Sequence, residues 1–202
     1  MLITAIRRQR GGLFAVMCGE ETVALVDQTA LEETELAVGE DIDIARVDEI
    51  ARLADYRRAR AKALAVISRR EICRAELTAK LSADFSEDIC DDVADEMEQL
   101  GLVDDTRYAE MYADQLYRLK HYGYRRVAHE LAQKGIDRSL AEQVASELAP
   151  DAREEIASLL EGRLARDLDT EAGVRRCINT LCRYGYEMSD IYAALRRLAD
   201  EE

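Results

Sequence analysis

The residues of this sequence with the chemistry for acid–base, nucleophilic or metal-binding work are two histidines, His121 and His129, and five cysteines, Cys18, Cys73, Cys90, Cys177 and Cys182. A zinc site needs such ligands at short recurring spacings, and a covalent catalyst needs a nucleophile beside a base. Neither pattern is present: the cysteines are odd in number and scattered, no Cys-x-x-Cys or His-Glu-x-x-His occurs, and the histidines lie on or beside polar helix faces. Cys177 and Cys182 are five residues apart on one helix and point in different directions, so they do not form a redox pair. Gly-x-Ser-x-Gly and phosphate-binding glycine loops are missing, and Gly11-Gly12 stands alone. The acidic tract from Asp84 to Asp105 has the carboxylates to hold Mg²⁺ as a nuclease does. Its acids are interleaved with Ile89, Val93 and Met97 at helical spacing, which makes them the solvated side of an amphipathic helix. The sequence therefore predicts a non-enzyme: catalytic residues none, cofactors none, metal none.

Binding chemistry is better represented. Arginines and lysines recur as Arg69, Arg70 and Arg74, then Arg125, Arg126 and Lys134, then Arg175, Arg176 and Arg183. Such strips suit phosphates or the acidic patches of a protein partner. Tyrosines accompany them. Tyr108 and Tyr112, one helical turn apart, read as core, whereas Tyr122 and Tyr124 flank Gly123 and read as exposed. The net charge of −14 resolves into alternating blocks: residues 56–82 carry eight positive and two negative charges, and residues 83–105 carry ten negative and none positive. An acidic total opposes tight autonomous binding to nucleic acid, because counterion release rewards a concentrated basic surface. Direct DNA contact is accordingly expected to be weak or secondary.

The elements that must position these strips are helices. One proline, no tryptophan, and long runs of Ala, Leu, Glu and Arg favour helix, since these residues lose little rotamer freedom there. Only the start differs. Leu2–Arg7, Leu13–Met17 and Thr22–Val26 are rich in strand formers and are separated by glycine turns, which predicts a small β-element. A short acidic helix and turn over Gln28–Asp43 leads into the main body.

That body is repetitive. The segment Arg126–Gly135 matches Arg176–Gly185 at a shift of fifty, with coincident apolar positions and terminal glycine. Cys73–Lys80 matches Val127–Lys134 at a shift of fifty-four, which places Cys73 and Cys177 on the apolar position of Val127 and predicts that both are core. The pairs Glu76–Lys80 and Glu130–Lys134 repeat at helical spacing. A following helix starts near Ser86, Asp137 and Glu187, with Ile89, Val93 and Met97 falling on Leu140, Val144 and Leu148. A longer preceding helix runs over about Val47–Ser68, Asp104–His121 and Asp151–Leu168. The predicted fold is mainly α, three tandem three-helix repeats forming an elongated body with an N-terminal β-element. The expected divisions are residues 1–46, 47–103, 104–149 and 150–202. No secretory leader and no apolar run near the roughly 20 residues that span a bilayer are evident, so a cytoplasmic monomer without membrane contact is expected.

Gly101-Leu102-Val103-Asp104-Asp105-Thr106-Arg107-Tyr108-Ala109-Glu110-Met111-Tyr112, followed by Arg125 through Ile136, closely resembles the RecX family in both parts of a double motif. Ser68-Arg69-Arg70-Glu71 with Glu76, Leu77 and Leu81 is similar to the first-repeat motif, and the likeness extends over about Ala54 to Leu198. Three departures stand out, one being an overall charge more acidic than a DNA-groove binder would suggest. His121-Tyr122-Gly123-Tyr124 replaces a Gly-x-Gly-Pro, and Lys80-Leu81-Ser82 replaces a Lys-Gly stop. The resemblance implies a regulator that lies in the groove of the RecA filament on single-stranded DNA and modulates, mainly by inhibition, its ATP hydrolysis, strand exchange and filament dynamics. Physically, Asp104, Asp105, Tyr108, Tyr112, Glu130, Leu131 and Gly135 read as structural motif residues, with the repeated cations as the contact residues. The alternative is an autonomous DNA-binding or transcription factor built from helix-turn-helix-like units.

Overall fold

A computed structural model describes residues 1–201 and divides the chain into two compact units, Met1–Val103 and Asp104–Glu202. The first opens with strands β1 (Ala5–Arg8), β2 (Leu13–Cys18) and β3 (Glu21–Asp27), joined as an antiparallel sheet in the order β1-β2-β3. Alternation along the strands sends Ile6, Val16 and Ala24 to one face, where they are paired in register. Asp27 ends β3 and caps helix α1 (Gln28–Thr34), its carboxylate accepting the Ala30 N–H at 2.7 Å.

Helix α2 (Ile44–Ile67) is 24 residues long and serves two cores. Its first half supplies Val47, Ile50 and Ala54 to a cluster with Ile3, Val16, Val26 and Ala30 of the β-element. Its second half supplies Ala59 and Ala63 to the core it shares with α3 (Arg74–Leu81) and α4 (Glu87–Gln99), built on Leu77, Leu81, Ile89, Val93 and Met97. The alanines let α3 and α4 approach closely, and Leu77, Leu81, Val93 and Met97 are fully buried.

The second unit contains α5 (Asp105–Gln115), a π-helical turn (Leu116–Lys120), α6 (Tyr124–Gln133), α7 (Arg138–Leu148), α8 (Ala152–Glu161), α9 (Glu171–Tyr184) and α10 (Met188–Glu201). Asp104, Asp137, Asp151 and Thr170 cap α5, α7, α8 and α9 with their side chains. Val127 and Leu131 of α6 and Cys177 and Leu181 of α9 are the buried stripe that the fifty-residue shift superimposes. Cys73 is likewise buried, while Cys182 is exposed.

Three expectations change. The helix expected over Asp151–Leu168 stops at Glu161, and Ala165–Asp167 form a 3₁₀ turn instead. Gly162 breaks α8, and the turn then lies against Gly173, where a Cβ would stand 1.8 Å from the Asp167 carbonyl oxygen. Leu148 is 42% exposed rather than core, since α7 buries Ala141, Val144 and Ala145 and leaves Leu148 at the edge of that stripe. Tyr122 is half-buried, tilted on Tyr184 with ring centroids 5.7 Å apart, and only Tyr124 of that pair is exposed.

Candidate binding surface

The predicted contact cations fall into two different electrostatic settings. In the first unit one of them, Arg74, faces the acids of α4. Arg74 opens α3 and reaches Asp95 and Glu98, each at 2.7 Å, with Asp91 at 3.6 Å. Arg70 pairs with Glu76 and donates to the Glu71 carbonyl at 3.1 Å, while Arg69 is exposed on the bend after α2. Other cations of α2 complete the match: Arg52 with Asp92 at 2.6 Å, Arg60 with Glu96 at 2.8 Å, and Lys62 with Asp84 at 2.6 Å. Hydrogen bonds from Arg60, and then from Tyr56 at 2.7 Å, hold the Glu96 carboxyl below the usual glutamate range. The acidic tract is the solvated face that the spacing predicts, and it also pairs with three cations of the basic block that precedes it, Arg60, Lys62 and Arg74. Its sequence signal was the juxtaposition of the +8 and −10 blocks.

In the second unit the cations lie on α6 and α9 in looser pairs. Arg125 reaches Glu187 at 2.7 Å, Arg175 reaches Glu171 at 2.5 Å, and Arg176 reaches Asp167 at 2.7 Å, all with arginine side chains more than 60% exposed. Arg183 donates to the Thr180 hydroxyl at 3.2 Å. Exposed pairs of this kind contribute about 0–1 kcal/mol each, so these guanidinium groups exchange partners at little cost. Arg126 is more constrained, bound to Glu130 at 2.6 Å and set 5.6 Å from the centre of the Tyr122 ring. Lys134 sits 5.5 Å from the centre of the Tyr112 ring. Beside Arg125, a groove of about 460 Å³ between α6 and α7 is floored by Ala128 and Ala132 and edged by Tyr124, His129 and Arg138.

The motif residues position these helices. Asp104 accepts the Arg107 N–H at 3.0 Å and Asp105 occupies the first turn of α5, both favourable at the positive end of a helix. Tyr108 is buried with Tyr112 stacked on it at 6.0 Å, and Leu131 is fully buried. Gly135, at φ +87°, supplies the left-handed residue that ends α6.

Gly123 and Gly185 bring α6 and the end of α9 into contact. The Gly123 N–H, at the start of α6, donates to the Tyr184 carbonyl at 2.7 Å. A Cβ on Gly123 would stand 2.8 Å from the backbone of Gly185, and one on Gly185 would stand 2.5 Å from the Arg126 nitrogen. His121 reaches this junction in left-handed backbone, φ +54°, with its carbonyl accepting the Tyr186 hydroxyl at 3.1 Å. The departure His121-Tyr122-Gly123-Tyr124 therefore retains the one glycine that the close approach requires.

Among the described residues no group of three or more His, Cys, Asp or Glu side chains could hold a metal ion, and no helix is long and apolar enough to cross a membrane.

Residues 104–144, which span α5, the π-helical turn, α6 and most of α7, match the second three-helix domain of RecX. The regulatory protein RecX of Thermobifida fusca is 32% identical over 151 residues, covering 73% of this chain and 82% of the relative. That of Streptomyces coelicolor is 29% identical over 108 residues, covering 52% of this chain and 57% of the relative. A crystal structure of regulatory protein RecX shares the fold over 96% of this chain and 98% of its own, with a TM-score of 0.69 at 20% identity. That of RecX from Lactobacillus salivarius covers 72% of this chain and 97% of its own, with a TM-score of 0.64 at 26% identity. With the double motif, the three-helix groups and a relative this similar over most of both chains, the chain belongs to the RecX family.

Proposed function

We propose that this chain binds the RecA filament on single-stranded DNA and inhibits its ATP hydrolysis, strand exchange and filament growth, acting as a cytoplasmic monomer in recombination and DNA repair. Family membership carries the reading, and its relatives are named as regulatory proteins. The exposed cations of α6 and α9, Arg125, Arg175, Arg176 and Arg183, are the contact set we favour, because their present partners are weakly held. Arg74 is a poorer contact, since three carboxylates already surround it. On this reading most contacts are with protein and phosphate contacts are secondary, in keeping with the net charge of −14.

Co-sedimentation with RecA–ssDNA filaments, combined with RecA ATPase measurements, tests the reading. Stoichiometric protein is expected to pellet with the filament and slow its turnover, and Arg125→Glu with Arg175→Glu is expected to weaken both effects while the protein stays folded. No association and no change in turnover would remove the proposal. The alternative, an autonomous DNA-binding factor, requires strong binding to bare DNA with a steep salt dependence.

A further inference from the structure

The start of α6 and the end of α9 are joined by side chains as well as by the two glycines. Arg125, in the first turn of α6, pairs with Glu187 in the turn after α9 at 2.7 Å. Tyr186, in that same turn, donates its hydroxyl to the carbonyl of His121 ahead of α6. The ring of Tyr122 bridges the same two helices. It is half-buried and tilted on Tyr184, the last residue of α9, with ring centroids 5.7 Å apart. The Arg126 guanidinium, from the first turn of α6, lies 5.6 Å from the centre of the Tyr122 ring, within cation–π range.

Arg126 shows what the ring does there. Its Nη2 reaches Glu130 at 2.6 Å, whereas its Nε is buried and has no hydrogen-bond partner. The aromatic contact supplies the restraint that a hydrogen bond at Nε does not. Each contact is weak by itself, but they act across two backbones already in touch, since a Cβ on Gly185 would stand 2.5 Å from the Arg126 nitrogen. A shift of α6 along α9 therefore breaks the Tyr122–Tyr184 and Tyr122–Arg126 contacts together. Two of the favoured contact cations lie at this junction: Arg125 is the second residue of α6, and Arg183 comes two residues before Gly185. Both are exposed.

We propose that Tyr122 is a positioning residue for partner binding: its ring locks α6 to α9, so that a partner meets Arg125 and the cations of α9 as one preformed surface. The inference rests on the filament reading above for the identity of the partner. Contact groups on a common rigid support lose less orientational freedom on binding than groups on supports that move separately. Tyr122 thus acts through the arginines it aligns and need not touch the partner.

The test uses the full chain in two assays. In co-sedimentation with RecA–ssDNA filaments, Tyr122→Ala is expected to weaken binding about tenfold when Arg125 is present and less than about twofold beside Arg125→Ala, because the α9 cations then bind without α6. A merely structural loss lowers binding by the same factor in both backgrounds, and that outcome overturns the proposal. Tyr122→Phe keeps the ring and is expected to bind as the unaltered chain does. Tyr122→Leu keeps apolar bulk without a π face, is expected to behave as the alanine variant, and carries the test if that variant does not fold. The second assay, amide exchange, needs no RecA. In Tyr122→Ala the Gly123 N–H is expected to exchange about tenfold faster, while those of Val127 and Leu131 keep their protection. Unchanged exchange at Gly123 overturns the lock even where the filament reading holds. Faster exchange in a chain whose unaltered form never associates with the filament removes the filament reading and leaves the lock standing.

Discussion

Replacing Gly185 by alanine tests whether the contact between α6 and α9 is a determinant of stability in the second unit. Two penalties add. The residue has φ +94°, where an L side chain costs roughly 1–2 kcal/mol. Its Cβ would also stand 2.5 and 2.6 Å from the nitrogen and Cβ of Arg126. Relief requires moving the first turn of α6, an overpacking strain of about 1–3 kcal/mol. Against these, alanine restricts the unfolded chain and returns about 0.4–1 kcal/mol. The expected net loss is therefore about 2–4 kcal/mol. Gly101→Ala is the control, because Gly101 has φ +67° but a Cβ there meets nothing within 4 Å, leaving the backbone penalty alone. Urea unfolding gives the two losses, and amide exchange localises them: the Gly123 N–H, bonded to the Tyr184 carbonyl at 2.7 Å, is expected to exchange faster in Gly185→Ala. Equal losses in the two variants, or unchanged protection at Gly123, would refute the reasoning.

Three further outcomes follow from individual side chains. Tyr117→Phe removes a buried hydroxyl that donates to the Ala145 carbonyl at 2.6 Å and is expected to destabilise the second unit by about 1 kcal/mol in urea. Burial pushes the Tyr117 phenol well above the usual range, so it should resist deprotonation in an ultraviolet titration that ionises exposed tyrosines. The Glu96 carboxyl is lowered in the folded state by Arg60 and Tyr56, so its contribution to stability is present at neutral pH and fades as pH falls through that lowered value. Glu96→Gln should therefore reduce stability at pH 7 and flatten the acid limb of the stability curve, and an unaltered limb would count against the pairing. Finally, Cys182 should react with a thiol reagent in the native state while Cys73, Cys90 and Cys177 stay protected, with burial raising the Cys90 and Cys177 thiols. Equal reactivity of the four would contradict the packing.

The helical repeat was legible because burial imposes a period. Val127, Leu131, Cys177 and Leu181 are apolar at matching positions, and every one of them is buried. Gly135 and Gly185 announced helix ends for a similarly local reason, their left-handed backbone. Features that depend on contacts distant in sequence were not legible. Gly173 reads as a poor helix residue until the 3₁₀ turn at Ala165–Asp167 is seen lying against it. Leu148 looks equivalent to Met97, yet α7 is packed so that alanines take the buried stripe. For the candidate surface, the sequence located the cations but not their partners. Arg74 and Arg175 both belong to the basic strips read from the sequence, and only the fold places three carboxylates around the first and a single exposed glutamate beside the second.

The pairing of α4 with α2 and α3 has an evolutionary consequence. Residues 56–82 carry eight positive charges; Asp84, Asp95, Glu96 and Glu98 pair with three of them, Arg60, Lys62 and Arg74, and Asp92 pairs with Arg52 just before them. Substitutions there are coupled: losing an acid from α4 strands a guanidinium, and restoring neutrality requires a second change on a different helix. The two blocks are therefore free to vary as a matched set, gaining or losing pairs together, while the charge they present outward stays nearly constant. Loosely paired arginines such as Arg125 and Arg175 carry no comparable constraint, so drift on their helices changes what a partner meets one residue at a time.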